Sequence, residues 1–279
     1  AFVMTQVLGA ARRLAMSENY ELRDALLPSV RDGTAILALG ISHLTTSRQH
    51  LSAPILTCVE TPDGYRLSGY CPWVTGAPQA DHFLLAVSCA ENRQALIVVP
   101  ANAPGVRIGA PIGLLGLNGS QTGPVYLDDV QLPARWLVDA PRVDLMRSRT
   151  AVSTGGIQTS TLAVGLASAA VGFLQSEAQK RVELQPVVDQ LAQELGHLQR
   201  QLLAVAGGAT NPSIADLRVL ANSFVLRATQ SALATAKGAG YVDGHVTGRW
   251  CQEAMFFLVW SCPQAVTSAH LHEWAGMES

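Results

Sequence analysis

Residues 64–85 read GYRLSGYCPWVTGAPQADHFLL. The stretch opens on the short run Tyr65–Gly69, crosses the turn residues Gly76-Ala77-Pro78 and enters a second run, Phe83–Val87. Apolar runs of this length, bounded by Gly and Pro, predict β-strands. The pattern repeats outward. Ala35–Ile41, Ile55–Val59, Ala95–Val99 and Val125–Val130 are further runs, separated by Pro62-Asp63-Gly64, Pro104-Gly105 and Asn118-Gly119. At Thr61-Pro-Asp-Gly64 the turn has a mechanism: Pro presets φ and Gly supplies a positive one. Many short strands at this spacing predict an antiparallel β-barrel or sandwich over residues 34–140.

Both flanks change period. Before residue 33, Val3, Val7, Leu8 and Leu14, then Leu22, Leu26 and Leu27, recur at helical spacing up to Asp32-Gly33. After residue 141, Leu184, Val188, Leu191, Leu195, Leu198 and Leu202 form one apolar stripe that Gly207-Gly208 ends. Asn211-Pro212 reads as the cap and first position of the next helix. Gly238 and Gly240 break it, and a last helix is expected from about Thr247 through Phe256, Phe257 and Trp260. The fold class is therefore α+β, with the β domain between helical segments and a C-terminal four-helix bundle. The expected domains are 1–33, the end of an N-terminal helical domain; 34–140, the β domain; and 141–279, the bundle.

The 279 residues are 48% hydrophobic and 14% charged, with 19 Lys+Arg against 21 Asp+Glu. Mean hydropathy is +0.22. So little charge excludes a disordered chain, and a net charge of −2 without a polybasic run excludes a nucleic-acid surface. The five cysteines, Cys58, Cys71, Cys89, Cys251 and Cys262, are odd in number and lack CxxC spacing. A zinc site or disulfide framework is not expected, and a reducing cytoplasm is. Arg12, Arg13 and Glu18 interrupt any signal-like stretch. Thr150–Ser176 carries no charge, but its Ser, Thr and Gly residues favour a buried bundle helix over a membrane span.

Several segments together resemble acyl-CoA dehydrogenases. Residues 64–85 are similar to the central β domain of that family, G-x-x-L-x-G followed by W-[IV]-[ST]-x-[GA] and A-D-x-x-[LV]. Leu115–Gly123 and Tyr126–Pro133 resemble its exit, L-G-x-R-x-S and F-x-D-V-x-V-P. Ala163–Ala167 looks like the first bundle helix, Gly238–Tyr241 like the G-G-x-G-[YF] turn, and Asp24–Pro28 like the K-x-x-x-L-P approach to the β domain. The resemblance covers nearly the whole chain and implies that most of an N-terminal helical domain is absent from this sequence. It also implies a flavoprotein that uses FAD to oxidise a small acyl substrate such as an acyl thioester. The expected assembly is a homodimer or homotetramer, with an electron-transfer protein as possible acceptor and no nucleic acid, membrane or metal.

On the same resemblance, the flavin-binding positions are Ile41, Ser42, Trp73, Val74, Thr75, Arg181 and Gly238. An aromatic wall buries the ring and a hydroxyl meets its polar edge. The plainer reading is a Trp packed in the sheet beside a strand Thr. Departures are as informative. Ser42-His43-Leu44 stands where the family has T-E-P, and Thr45–His50 does not match the loop that contacts acyl-CoA. Leu184 and Gln185 replace the Phe and Gly of R-x-x-F-G. Ser261 stands at the catalytic Glu position, with Pro263 at the following Thr, and near Gly155-Gly156 there is no carboxylate either. Serine without a partner base is a poor proton acceptor. The catalytic base is therefore unassigned, with His43 a candidate whose alternative is a hydrogen-bonded strand residue. His270, His272 and Glu273 read as surface polarity and His197 as exposed. Glu253, placed about two helical turns before Ser261, reads as too distant to replace a base. Weak or lost FAD binding is expected. Two rival readings stand beside an active dehydrogenase: a catalytically inactive homologue serving as a binding or assembly protein, and a flavin-dependent monooxygenase of the same fold.

Overall fold

The computed structural model describes residues 1–45, 54–145, 156–260 and 262–277. They form two compact units. One comprises Ala1–Leu114 and continues from Asn118; the other comprises Leu115–Leu117 and the helices from Ile157 onward.

In the first unit, α1 (Phe2–Ala15) and α2 (Tyr20–Asp32) precede an eight-stranded sheet. Asn19 separates the two helices by accepting the Leu22 N–H on its side chain, and Gly33 ends α2 in the left-handed region. The strands are β1 (Leu37–Gly40), β2 (Leu56–Thr61), β3 (Gly64–Val74), β4 (His82–Ser88), β5 (Arg93–Pro100), β6 (Val106–Ile108), β7 (Gly123–Pro133) and β8 (Leu137–Val143). A short helix, α3 (Ser42–Thr45), follows β1. All six apolar runs of the sequence are strands; β6 and β8 carried too weak a pattern to be read.

The sheet runs β6-β7-β3-β2-β4-β5-β8, with β1 added on β4. The expected barrel is not formed: β6 and β8 are edges that do not pair with each other. Closure needs a continuous ladder at both edges. Here β6 offers three residues, and the β5–β8 register shifts twice. Nor is the sheet purely antiparallel. β1 lies parallel to β4 from Leu37↔His82 to Gly40↔Leu85, and β2 meets the end of β4, also parallel, at Thr57↔Ser88. Strands β4 and β5 are buried on both faces, as continuous apolar runs require. Phe83, Leu85, Val87 and Ile97 pack with Leu56, Leu67 and Val125 from other strands. Leu84, Ala86, Leu96 and Val98 pack instead under Leu14, Leu22 and Leu26 of the two helices.

The second unit holds α4 (Ile157–Ala178), α5 (Gln185–Ala206), α6 (Ile214–Gly240), α7 (Val246–Met255) and α8 (Gln264–Trp274). One apolar core joins Ala163, Ala167 and Val171 of α4, Leu198 of α5, Phe224 and Ala228 of α6 and Ala254 of α7. α4 is long and apolar enough to cross a membrane by length and composition, and 44% of that window is buried inside the protein. Three expected boundaries move. Ser213, not Asn211, caps α6, its hydroxyl accepting the Asp216 N–H. The chain kinks at Lys237 (φ 53°, ψ −144°), one residue before Gly238. The last helix does not run through Trp260: it tightens to a 3₁₀ turn at Phe256–Leu258, and a separate α8 begins after Pro263. Pro263 has no N–H to continue a helix and disfavours helical backbone before it.

Candidate functional site

Within the first unit the fold brings together the two separated segments, Ile41–His43 and Trp73–Thr75, that the resemblance assigns to flavin. Gly40 closes the gap: a Cβ there would lie 2.5 Å from Leu85 Cδ2 and 2.8 Å from Cys71 Sγ. The absent side chain lets β1 press on β3, so that Ile41-Ser42-His43 abuts the segment leading into Trp73-Val74-Thr75. A register shift between Cys71 and Val74 then re-aims the chain. Pro72 cannot donate to the ladder, and the resulting bulge turns a side chain outward. Trp73 is half exposed, while Val74 and Ile41 are core residues.

Beside Trp73 lies a rank of hydroxyls. Thr75 Oγ1 is 3.2 Å from Thr122 Oγ1, which is 2.8 Å from Ser120 Oγ, and the Gly76 N–H donates to the Ser120 carbonyl at 2.9 Å. All three hydroxyl residues are buried. Ser42 Oγ is also buried and has no hydrogen-bond partner among the described residues. Ser120 and Thr122 both lie within Leu115–Gly123, but neither stands out in the sequence as a site residue; the β7–β3 pairing aligns them with Thr75.

His43 lies on α3, not on a strand. Its Nε2 donates to the Ala86 carbonyl at 2.9 Å, and its Nδ1 is 3.7 Å from Cys71 Sγ. Because the carbonyl can only accept, Nε2 carries the proton of the neutral ring. Burial holds the imidazole pKa below its usual value, against the raising effect of the Ala86 bond. The free lone pair thus points at a buried thiol, whose own pKa burial pushes up to about 12.

In the second unit, Arg181 Nη2 donates to Glu177 Oε2 at 2.7 Å and to the Thr235 carbonyl at 3.0 Å. Gly238 meets nothing where a Cβ would stand; the crowded glycine is Gly240, 2.7 Å from Thr247 Oγ1. Glu253 is half-buried, which raises its pKa, while Arg249 at 3.6 Å opposes the rise. The rise-per-residue distance expected between Glu253 and Ser261 does not apply, because α7 ends at Met255. Ser261, most of Thr45–His50 and Gly155 lie outside the described residues; Gly156 is the residue before α4. His197 and His272 are exposed, but His270 is buried, its ring stacked on Trp274 and Nδ1 3.5 Å from Glu273 Oε2. It is core, not surface polarity. Among the described residues no three His, Cys, Asp or Glu side chains converge to hold a metal.

Residues 43–130 match the acyl-CoA dehydrogenase middle domain. That span contains His43, Trp73, Thr75, Ser120 and Thr122. The chain is 24% identical over 255 residues to a probable acyl-CoA dehydrogenase, YngJ, of Bacillus subtilis, covering 84% of this chain and 67% of that one. It is 22% identical over 252 residues to the cyclohexane-1-carbonyl-CoA dehydrogenase of Geobacter metallireducens, covering 84% and 66%. The chain thus spans about two thirds of these relatives. Its fold is similar to that of butyryl-CoA dehydrogenase from Megasphaera elsdenii, with a TM-score of 0.81, 18% identity and coverage of 95% and 76%.

Proposed function

Because the chain belongs to an acyl-CoA dehydrogenase-like family, we propose that it binds FAD and oxidises an acyl thioester or a related small acyl substrate. One observation carries this reading: half-exposed Trp73 comes two residues before Thr75, whose buried hydroxyl joins those of Thr122 and Ser120, and the buried Ser42 hydroxyl, on the segment after β1, lacks a partner among the described residues. These residues fit a flat, polar-edged aromatic ring. Trp73 offers it a face. Ser42 can donate to or accept from its heteroatoms, and Thr75 is held in one rotamer by Thr122. When bound, the flavin would accept the hydride. Removing the proton α to the thioester falls to this chain, and Ser261 at the family's base position cannot do it unaided. The reaction would therefore be slow on straight-chain esters, and electrons would pass on to an electron-transfer protein.

The test is titration of the purified protein with FAD, followed by anaerobic bleaching with butyryl-, octanoyl- and branched acyl-CoA. We expect measurable but weak FAD binding, lowered about tenfold by Trp73→Ala, equivalent to about 1.4 kcal/mol. Absence of binding at millimolar FAD would overturn the site. Rapid bleaching by ordinary esters would mean that a base other than Ser261 serves the reaction. A second reading, an inactive homologue acting as a binding or assembly protein, is favoured by Arg181, already engaged by Glu177 and Thr235. A colourless protein co-purifying with another polypeptide would support it.

A further inference from the structure

We propose that Cys58 and Cys89 form a redox-active dithiol that peroxide converts to an intramolecular disulfide. The placement comes from the sheet. β2 and β4 are parallel neighbours at Thr57↔Ser88, and the residues that follow, Cys58 within β2 and Cys89 just past the end of β4, are both cysteines. Cys89 continues extended, with φ −103° and ψ 174°. Neighbouring strands lie about 4.7–4.9 Å apart, inside the roughly 4.4–6.8 Å Cα separation of a disulfide. Residues paired across two strands share a face, and both cysteines pack into the same core. The strand spacing therefore places the two backbones within bridging range.

The two sulfurs are not equivalent. Cys58 is 4% exposed, whereas Cys89 is only partly covered, at the end of β4 before the turn at Ala90–Asn92. The Cys58 thiol donates toward Cys89, which favours the Cys89 thiolate and pushes Cys58 up. Arg93 also favours that thiolate; partial burial and the Glu60 carboxylate oppose it. Arg93 is itself paired to Glu60 at 3.0 Å, and Tyr65 lies on the same side. A partly exposed thiol whose ionisation is favoured, with a second thiol beside it, is the arrangement of a peroxide-sensitive pair. Cys89 attacks one peroxide oxygen, the O–O bond breaks, and the leaving hydroxide takes a proton to become water. The Cys89 sulfenic acid is then attacked by Cys58. The S–S bond forms, and the sulfenic oxygen leaves as a second water with the Cys58 proton. Two thiols are oxidised and one peroxide is reduced.

The other cysteines are less suited. Cys71 is fully buried with its pKa raised to about 12, and Cys251 is raised by burial while bonding to the Thr229 carbonyl. Cys262 accepts a hydrogen bond from Thr267 and has no thiol partner among the described residues.

The experiment is brief exposure of the whole chain to hydrogen peroxide, then thiol counting and a non-reducing peptide map. We expect two of the five thiols to disappear. One cross-linked pair of peptides should carry Cys58 and Cys89, lighter by two hydrogens and restored by dithiothreitol. Cys89→Ser should abolish the link. Cys58→Ser should leave a sulfenic acid on Cys89 that dimedone traps; if that variant does not fold, the wild-type map and Cys89→Ser decide. Prior oxidation of Cys71, Cys251 or Cys262, or labelling of Cys89 without the cross-link, would overturn the proposal.

Discussion

His43 illustrates how a residue that reads as chemistry in sequence is committed to structure by its neighbours. Both ring nitrogens face protein groups, Ala86 and Cys71, and burial favours the neutral ring. Its folded pKa lies below the ordinary 6.5, so the unfolded chain binds the proton more readily. This contribution to stability is complete above about pH 6.5 and is lost as pH falls below that value toward the folded pKa. His82, lowered by the same cause, acts in the same direction. Denaturant unfolding at pH 7.5 and pH 5.5 should show wild type losing more stability on acidification than His43→Gln. Equal losses would mean that His43 does not titrate against the fold.

At the scale of elements, two glycines with similar sequence signals are separated by what surrounds them. Gly64 closes the β2–β3 hairpin at φ +143°, and a Cβ there would lie 2.2 Å from the Leu132 carbonyl oxygen. Gly64→Ala should cost about 1–3 kcal/mol in backbone strain alone, read as a lower denaturation midpoint. Gly238 has open space, and Gly238→Ala in the last turn of α6 should stabilise by about 0.5–1 kcal/mol. If Gly238 also borders FAD, that variant should show weaker FAD affinity despite its greater stability. The turn after α7 is held by a buried cation together with Asn222, whose Nδ2 also donates to the Phe257 carbonyl. Arg218, fully buried, donates to Asn222 and to the carbonyls of Phe257 and Trp260. Burial lowers its pKa to about 10, so it stays charged at neutral pH. Arg218→Met should destabilise by about 1.5–3 kcal/mol, the worth of hydrogen bonds from a charged donor. A loss within a few tenths of a kcal/mol would mean that Asn222 alone suffices to hold the turn.

At the scale of the whole molecule, only 14% of residues are charged. Val182, Leu203 and Tyr241 of the helical unit are 81%, 71% and 88% exposed. Singly exposed apolar residues are ordinary on a monomer, and the homodimer or homotetramer is a proposal that rests on the resemblance alone. Light scattering at micromolar concentration should give a mass above that of one chain; a monomer throughout would count against it.

Local sequence determined the parts whose signal is periodic. The alternating or continuous apolar runs at Tyr65–Gly69, Phe83–Val87 and Ala95–Val99 specify strands, because burying one or both faces of a pleated chain demands those residues. The Leu184–Leu202 stripe specifies a bundle helix in the same way. The ordered motifs around Trp73 and Asn118 carried the resemblance to acyl-CoA dehydrogenases. Tertiary structure alone decided the rest. Whether the sheet closes depends on the length and register of β6 and β8, set by pairing and not by composition. Thr122 stands beside Thr75 only through the β3–β7 ladder. Arg181 reaches the Thr235 carbonyl, and Cys58 is brought to Cys89, across 54 and 31 positions of the chain. No local periodicity records such contacts, because their energy exists only once distant segments have been brought together.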